Sequence, residues 1–138
     1  MSVPAALRRE VCARAHDRCE YCGLAQAGQE ATFHIDHVVP VIAGGATELE
    51  NLALACASCS LRKAARQHAS DPQTGEAAPI FNPRREMWVE HFRWDGIRVE
   101  GTTSTGRATI LALGMNRALA LAIRAEEITR HRHPPPTV

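Results

Sequence analysis

Two short stretches decide the fold of this chain: residues 33–63 read FHIDHVVPVIAGGATELENLALACASCSLRK, and residues 19–23 read CEYCG. Each stretch contains a Cys-x-x-Cys pair. One such turn can bring two thiolates to a single ion, and two such turns complete a tetrahedral zinc site. The sequence therefore predicts one structural zinc ion held by Cys19, Cys22, Cys56 and Cys59.

Two disulfides, or a dithiol redox motif, are the alternatives for these four cysteines. Nothing at the N-terminus resembles a secretory signal, so an oxidising compartment is not indicated. A thioredoxin-type site would place one reactive Cys-x-x-Cys pair near a βαβ pattern, whereas this chain has two pairs around a polar segment. Structural zinc is the favoured interpretation.

Between the two cysteine pairs lies a polar constellation that resembles a known family. Asp36 and His37 place a carboxylate beside an imidazole, a Gly-Gly loop follows at 44–45, and Asn51-Leu52 precedes the second pair. With the basic turn after the last cysteine, this pattern resembles the HNH endonuclease family in its zinc-knuckle form. The resemblance covers roughly residues 8–66.

The resemblance implies an α+β fold with a small ββα-metal core: a strand, a loop, a second strand and a helix beside the four-cysteine zinc site. We expect the strands at 33–39 and 51–55, and helices at 4–16 and 60–68. Regular pleating would send Asp36 and His37 to opposite faces, so the first strand is expected to bend or bulge at His37.

The chain beyond the core is expected to form an extension that packs on it. We divide the chain into an HNH core with its N-terminal helix at 1–69, an extension at 70–130 and a disordered, proline-rich tail at 131–138. Residues 70–79 are turn-rich and are predicted to be a linker. The extension is predicted to hold a short helix with Trp88, a hairpin turned at Asp95-Gly96, and helices over 106–113 and 117–130 with Asn116 as a cap.

The resemblance also implies roles for individual residues. His37 would be the general base that activates water, Asn51 would orient the His37 ring, and Asp36 would bind a catalytic Mg²⁺ or Mn²⁺ ion at the scissile phosphate. The products would carry 5′-phosphate and 3′-hydroxyl ends. Ser60 departs from the family pattern, which has Asn or His after the last cysteine. Ser60 and His34 are therefore the candidates to complete the shell of the ion.

Charge and composition limit the kinds of partner that the protein can bind. The 138 residues are 45% apolar with a net charge of +1, so there is no global basic field, and any contact with nucleic acid must rest on local charge. Arg62, Lys63 and Arg66 supply such charge after the last cysteine. No apolar run is long enough to span a membrane, and a cytoplasmic location is the default expectation. The sequence does not indicate an oligomeric state.

Two classes of function follow from the pattern. The first is a metal-dependent endonuclease that hydrolyses phosphodiester bonds in DNA. The second is a catalytically weak or inactive zinc module that binds nucleic acid, a class that the serine at position 60 favours. A zinc domain that only mediates protein contacts is a third option. Because a binder needs neither the Asp-His pair nor the asparagine, the constellation favours the nuclease.

Overall fold

A computed structural model of the protein describes residues 3–137 and shows a mixed α+β architecture with three two-stranded antiparallel sheets. Short 3₁₀ turns lie at Gln26–Gly28, Val41–Ala43 and Leu49–Asn51. The helices and strands are, in chain order, α1 (Ala5–Arg14), β1 (His34–His37), β2 (Leu52–Ala55), α2 (Ala57–Lys63), β3 (His68–Ser70), β4 (Ala77–Pro79), α3 (Trp88–His91), β5 (Phe92–Asp95), β6 (Arg98–Gly101), α4 (Ser104–Ala112) and α5 (Ala118–Thr129).

The predicted ββα core is confirmed as β1, β2 and α2. Strand β1 pairs with β2 in an unbroken antiparallel register that runs from His34 opposite Ala55 to His37 opposite Leu52. Strand β2 reads LALA and is buried throughout, as expected for an apolar run covered on both faces. Helix α2 follows at once and packs against both strands.

Helix α2 is shorter than predicted and begins earlier. The Cys56 sulfur caps its first turn by accepting a hydrogen bond from the Cys59 amide. The helix ends at Lys63 because Ala64 adopts a positive φ of 49°, which helical backbone does not allow. The predicted helix over 60–68 is therefore wrong at both ends, and the chain enters β3 by His68.

Helix α1 is fixed to the core by arginine side chains. Val11 is fully buried on its inner face. The Arg14 guanidinium donates to the carbonyls of Leu49 and Leu52, at 2.8 and 2.6 Å, and Arg8 donates to the carbonyl of Phe33 at 3.2 Å. These bonds satisfy backbone carbonyls next to the start of β1 and the start of β2, so α1 stabilises the β1–β2 pair.

The segment predicted as a linker, residues 70–79, is part of a β-hairpin. Strands β3 and β4 pair with Ala69 opposite Ala78, and Gly75 adopts φ of 76° in the turn between them. The side chain of Asp71 is buried at the start of the turn, where it accepts two hydrogen bonds from Arg107 of α4, at 3.0 and 2.9 Å. Helix α4 packs on β3, β4 and β6 and joins the extension into one unit.

The rest of the extension follows the predicted order with shifted boundaries. The hairpin of β5 and β6 is present, with Asp95 paired to Arg98, so Gly96 and Ile97 form its turn. The cap of α4 is Thr103, whose hydroxyl accepts from the Gly106 amide. Asn116 does not cap α5; its amide group bonds both the N–H and the C=O of Val99 in β6.

The tail predicted to be disordered makes specific contacts as far as the structure describes it, to residue 137. Arg132 forms an ion pair with Glu127 at 2.8 Å. The His133 ring lies 2.9 Å from the Gly96 carbonyl, to which it donates, and packs edge-on against Trp94. A run of prolines is typical of disorder, and composition does not reveal partners of this kind.

The core and the extension share one apolar centre. Trp88 stacks between Phe92 and Trp94, with ring centroids 4.9 and 5.1 Å away, and its indole N–H donates to the carbonyl of Tyr21 at 2.8 Å. Phe81 lies edge-on to Tyr21. The tryptophans therefore serve as core residues. Across residues 3–137, no helix has both the length and the apolarity that a membrane crossing requires.

Candidate zinc site and active site

The four predicted cysteine ligands converge on one point. Their sulfur atoms all lie within 4.8 Å of one another, and the sulfurs of Cys22 and Cys56 are 3.7 Å apart. Four sulfurs placed tetrahedrally at about 2.3 Å from zinc would be about 3.8 Å apart, so the spacing fits the ion. All the cysteines are free thiols, so the alternative of two disulfides is not what the structure shows.

The backbone of both turns supports the sulfur cluster. The amides of Cys22 and Cys59 each point at the sulfur three residues earlier, at 3.4 Å. Burial raises the pKa of the Cys19 thiol, whereas hydrogen bonds from the other three thiols lower the pKa of Cys56. Four buried sulfurs cannot all be thiolates without a compensating cation, and a zinc ion would supply that charge.

A residue between the first two ligands connects the zinc site to the Asp-His segment. The hydroxyl of Tyr21, fully buried, donates to Asp36 Oδ2 at 2.7 Å. Beside it, Glu20 accepts from the Leu54 amide at 2.8 Å and pairs with Arg84 of the extension. Sequence reasoning missed both contacts, because a tyrosine and a glutamate inside a Cys-x-x-Cys turn carry no pattern of their own.

Asp36 and Lys63 form a buried ion pair. Asp36 is 8% exposed and Lys63 is 2% exposed, and the ammonium lies 3.2 Å from Asp36 Oδ2. Burial raises the pKa of Asp36, while Lys63 and the Tyr21 hydroxyl oppose that rise. Lys63 also donates to the carbonyls of His37 and Val38, both at 3.2 Å. The phosphate contact predicted for Lys63 does not fit this burial.

His37 is separated from Asp36 by the pleat of β1. The expected bulge at His37 is absent: the ladder is regular through His37, and the backbone bends only at residues 38 and 39. Neighbouring side chains in a regular strand point to opposite faces. The His37 ring is half-buried, and its Nε2 lies 2.8 Å from the Thr47 hydroxyl, in the loop that leads to β2.

The Asn51 side chain hydrogen-bonds to backbone groups, whereas the partner of the His37 ring is Thr47; the resemblance implied a direct contact between Asn51 and the ring. Its Oδ1 accepts from the Val39 amide at 2.9 Å, and its Nδ2 donates to the carbonyls of Val39 and Ala46 at 3.0 and 2.9 Å. The amide group thus ties together the two ends of the loop that carries Thr47. Gly45 lies so close that a Cβ there would overlap the Val39 carbonyl. Asn51 thus holds the loop that carries Thr47, the hydrogen-bond partner of the His37 ring.

The two auxiliary ligand candidates touch each other. His34 Nδ1 lies 2.9 Å from the Ser60 hydroxyl, and both side chains are half-buried between β1 and α2. His34 is two residues from Asp36 and therefore shares its face of the strand. Apart from the four cysteines, residues 3–137 contain no group of three or more His, Cys, Asp or Glu side chains close enough to hold a metal ion.

The two predicted phosphate-binding arginines remain at the surface. Arg62 is exposed, and its Nε donates to the Ser58 hydroxyl at 3.3 Å. Arg66 is exposed as well; one of its terminal nitrogens bonds the carbonyls of Arg62 and Ala112, at 2.7 and 3.1 Å. Both guanidinium groups keep their charge in solvent next to the ββα core.

Comparison with known proteins agrees with this geometry. No curated protein matches the chain. The model of the HNH endonuclease family matches residues 19–66, a segment that begins at the first zinc ligand and ends three residues after α2. This segment contains the four clustered cysteines, the β1–β2 pair and helix α2. The similarity to the HNH endonuclease family therefore covers residues 19–66, which include the four clustered cysteines and the ββα unit.

Proposed function

We propose that this protein is a metal-dependent endonuclease that hydrolyses phosphodiester bonds in DNA. The observation that carries the proposal is the setting of His37 within the segment that matches the HNH family: an imidazole with one ring nitrogen bonded to Thr47. The other ring nitrogen, Nδ1, has no hydrogen-bond partner among residues 3–137. A ring held at one nitrogen and open at the other is suited to proton transfer.

His37 acts as the general base in this proposal. With the proton on Nε2 donated to the Thr47 hydroxyl, Nδ1 keeps its lone pair and accepts a proton from the attacking water. Histidine is the side chain that most often serves as a general base in enzymes. General-base catalysis of this kind typically contributes about 10²–10⁴-fold to the rate.

The donors around Asp36 fit a hard divalent cation. Asp36 offers carboxylate oxygens, Ser60 a hydroxyl and His34 an imidazole, and all three lie on the face of β1 that α2 covers. Bound there, Mg²⁺ or Mn²⁺ would supply positive charge at the scissile phosphate and at the leaving 3′ oxygen. Lys63 already neutralises Asp36, so a metal ion at this carboxylate has to compete with the ammonium. We therefore expect weak metal affinity in the absence of DNA.

Arg62 and Arg66 hold the DNA backbone in this scheme. Their charges make the affinity salt-dependent, since each phosphate that is neutralised releases counterions. The expected products carry 5′-phosphate and 3′-hydroxyl ends, because water attacks phosphorus and the 3′ oxygen leaves. Religation of the nicked product by a DNA ligase tests this polarity directly.

The deciding experiment is incubation of the purified protein with supercoiled plasmid, with Mg²⁺, with Mn²⁺ and without added divalent metal. We expect conversion to nicked and linear forms only with the metal. His37→Asn should abolish conversion at unchanged DNA affinity, because a base acts on water in the transition state. His131→Asn is the matched control: His131 is exposed, and asparagine tolerates its φ of 59°. Cleavage by His37→Asn at the parent rate would contradict the proposal.

A nucleic-acid-binding module without cleavage is the second candidate. The observation in its favour is the buried ion pair, since an Asp36 neutralised by Lys63 is a structural group that needs no catalytic ion. This candidate predicts salt-dependent DNA binding without added Mg²⁺ or Mn²⁺ and no cleavage at any concentration of either ion. The plasmid assay and an anisotropy titration of the same preparation separate the two functions.

A further inference from the structure

A cavity of about 310 Å³ lies between the HNH core and the extension. One wall is Val38 and Val39, which directly follow His37, and the opposite wall is the segment from Pro79 to Asn82, which lies outside the residues that match the family. The buried Lys63, whose ammonium bonds the His37 carbonyl, also lines the cavity. The cavity therefore adjoins the backbone of the proposed catalytic base.

The mouth of the cavity is basic. Arg66, His68 and Arg85 line it and are exposed. The side chains of His68 and Arg85 make no hydrogen bond or ion pair within residues 3–137, so their donors face solvent. Glu86 is the one acidic residue in the lining. Its carboxylate already accepts a hydrogen bond from the backbone amide of Asn82 and pairs with the His91 ring, both at 2.9 Å. The mouth thus attracts an anion.

Apart from Lys63, the buried part of the cavity lining is mainly apolar. Val38, Ile80 and Phe81 contribute to the lining and are buried in the fold. A volume near 310 Å³ is at the small end of the range of about 300–1,000 Å³ that holds small ligands. A double helix cannot enter such a space. A single nucleotide matches both features, since its base is flat and largely apolar on its faces and its phosphate is anionic.

We propose that this cavity receives one unpaired nucleotide of the DNA strand, with the base against the apolar interior and the adjoining phosphate at Arg66 and Arg85. The inference rests on the proposed action on DNA. It assigns to the extension a direct part in substrate recognition. Because a paired base must first leave the stack at a cost in free energy, the protein should prefer single-stranded or locally unpaired DNA over a continuous duplex.

The test is a binding measurement without added Mg²⁺ or Mn²⁺, a condition in which we expect no cleavage and in which the structural zinc stays bound. A short 5′-phosphorylated, fluorescein-labelled strand is titrated alone and annealed to its complement, with the parent protein and with Arg85→Gln. We expect the parent to bind the single strand roughly tenfold or more tightly than the duplex, in line with the cost of unpairing. Arg85→Gln should reduce this preference to near unity. Arg98→Gln, at an exposed arginine outside the cavity, should retain the preference.

The readout is the ratio of the affinities for single-stranded and duplex DNA, because a general loss of positive charge weakens the binding of both forms alike. A parent ratio near one, a ratio that survives Arg85→Gln, or an equal loss in Arg98→Gln overturns the proposal. Competition by dAMP, but not by deoxyribose 5-phosphate, should displace the strand; equal competition by both would overturn the role of the base. A clear preference in a protein that never cleaves plasmid would refute the endonuclease and leave the nucleotide site standing.

Discussion

The HNH core and the extension are stabilised by different chemistry. The core places four sulfurs around one point and has short strands of four residues each. The extension contains stacked aromatic rings and the buried Asp71–Arg107 ion pair. A short ββα unit buries little apolar surface by itself, and the apolar cluster that contains Tyr21, Leu52 and Phe92 spans both the core and the extension. We therefore expect zinc to stabilise the core directly, while the shared apolar centre joins the core to the extension.

Removal of zinc should expose this difference most clearly. Structural zinc sites contribute about 10–16 kcal/mol in zinc-dependent peptides, as much as the whole stability of a typical domain, about 5–15 kcal/mol. We expect Cys59→Ser, or prolonged chelation, to unfold the core, as measured by circular dichroism and metal analysis. Cys12→Ser is the control, since Cys12 lies outside the sulfur cluster. A Cys59→Ser protein that melts like the parent would contradict the role of the metal.

The same variant shows how tightly the two halves are coupled. Both tryptophans lie in the extension, and Trp88 donates to Tyr21 in the first zinc turn. If the halves form one cooperative unit, tryptophan fluorescence should report unfolding at the same denaturant concentration as circular dichroism. A separate, later fluorescence transition would mean that the aromatic centre survives the loss of the zinc turns.

Breaking the buried ion pair of the core is expected to have the next largest effect. Asp36→Asn leaves the Lys63 charge buried without its partner, which typically costs about 3–5 kcal/mol. The double variant Asp36→Asn, Lys63→Met should recover much of this loss, because an apolar replacement of similar volume is often as stable. Thermal unfolding of both proteins measures the difference. Equal stability of Asp36→Asn and the parent would show that the pair is not important for folding.

The double variant also separates structure from catalysis. If Asp36 holds the catalytic ion, plasmid cleavage should stay lost when stability returns. If Asp36 is only a structural partner of Lys63, cleavage should return with it. Single substitutions cannot make this distinction, because Asp36→Asn lowers stability and removes a metal ligand at once.

The core was predictable from sequence because its determinants are local. Each Cys-x-x-Cys pair fixes its own turn, so the sulfur cluster follows from spacing, and the pairing of β1 with β2 was implied by the resemblance to the HNH family. Lys63 was misplaced because a lysine after a helix-forming stretch is exposed by default, whereas its burial depends on Asp36, 27 residues away. The partners of Asn51 were not predicted for a similar reason: its side-chain amide can donate and accept hydrogen bonds, and the sequence does not indicate which groups it will contact.

The extension was predicted less well because its determinants are long-range. Strands β3 and β4 have three residues each, built largely from alanine, serine and proline, so no alternation marks them. The turn of their hairpin is held by Asp71, which pairs with Arg107, 36 residues later. The tail is ordered by Glu127, Gly96 and Trp94, which sequence spacing does not connect to it.

Asp71 offers a smaller test, confined to the extension. Hydrogen bonds from Arg107 lower the pKa of Asp71 to about 2. A lowered carboxyl pKa stabilises the fold above the unfolded value of about 3.9, and this contribution is lost as pH falls towards the folded value. Asp71→Asn should lower the melting temperature by roughly 5–10 °C at pH 7. The difference in melting temperature between the parent and Asp71→Asn should persist at pH 5 and shrink below about pH 4.

The comparison at acidic pH is informative because both proteins release zinc alike, so the difference between them isolates Asp71. Glu100→Gln is the matched control: Glu100 also pairs with an arginine, but on the surface of β6. Surface ion pairs contribute little to stability because solvent screens them, so this substitution should change the melting temperature little. A larger effect for Glu100→Gln than for Asp71→Asn would contradict the role assigned to the buried pair.

The smallest expected effect concerns Ser60, where the core departs from its family. The Ser60 hydroxyl bonds His34 on the face of β1 that also carries Asp36. An asparagine amide oxygen reaches further from the helix than a hydroxyl and is a good neutral ligand for a hard cation. If Ser60 is a ligand, Ser60→Asn should lower the Mg²⁺ or Mn²⁺ concentration needed for half-maximal cleavage, and Ser60→Ala should raise it severalfold. If Ser60 only positions His34, both substitutions should release the ring and act alike. A metal titration of the two variants beside the parent decides, and a Ser60→Ala protein with the metal dependence of the parent removes Ser60 from the ligand set.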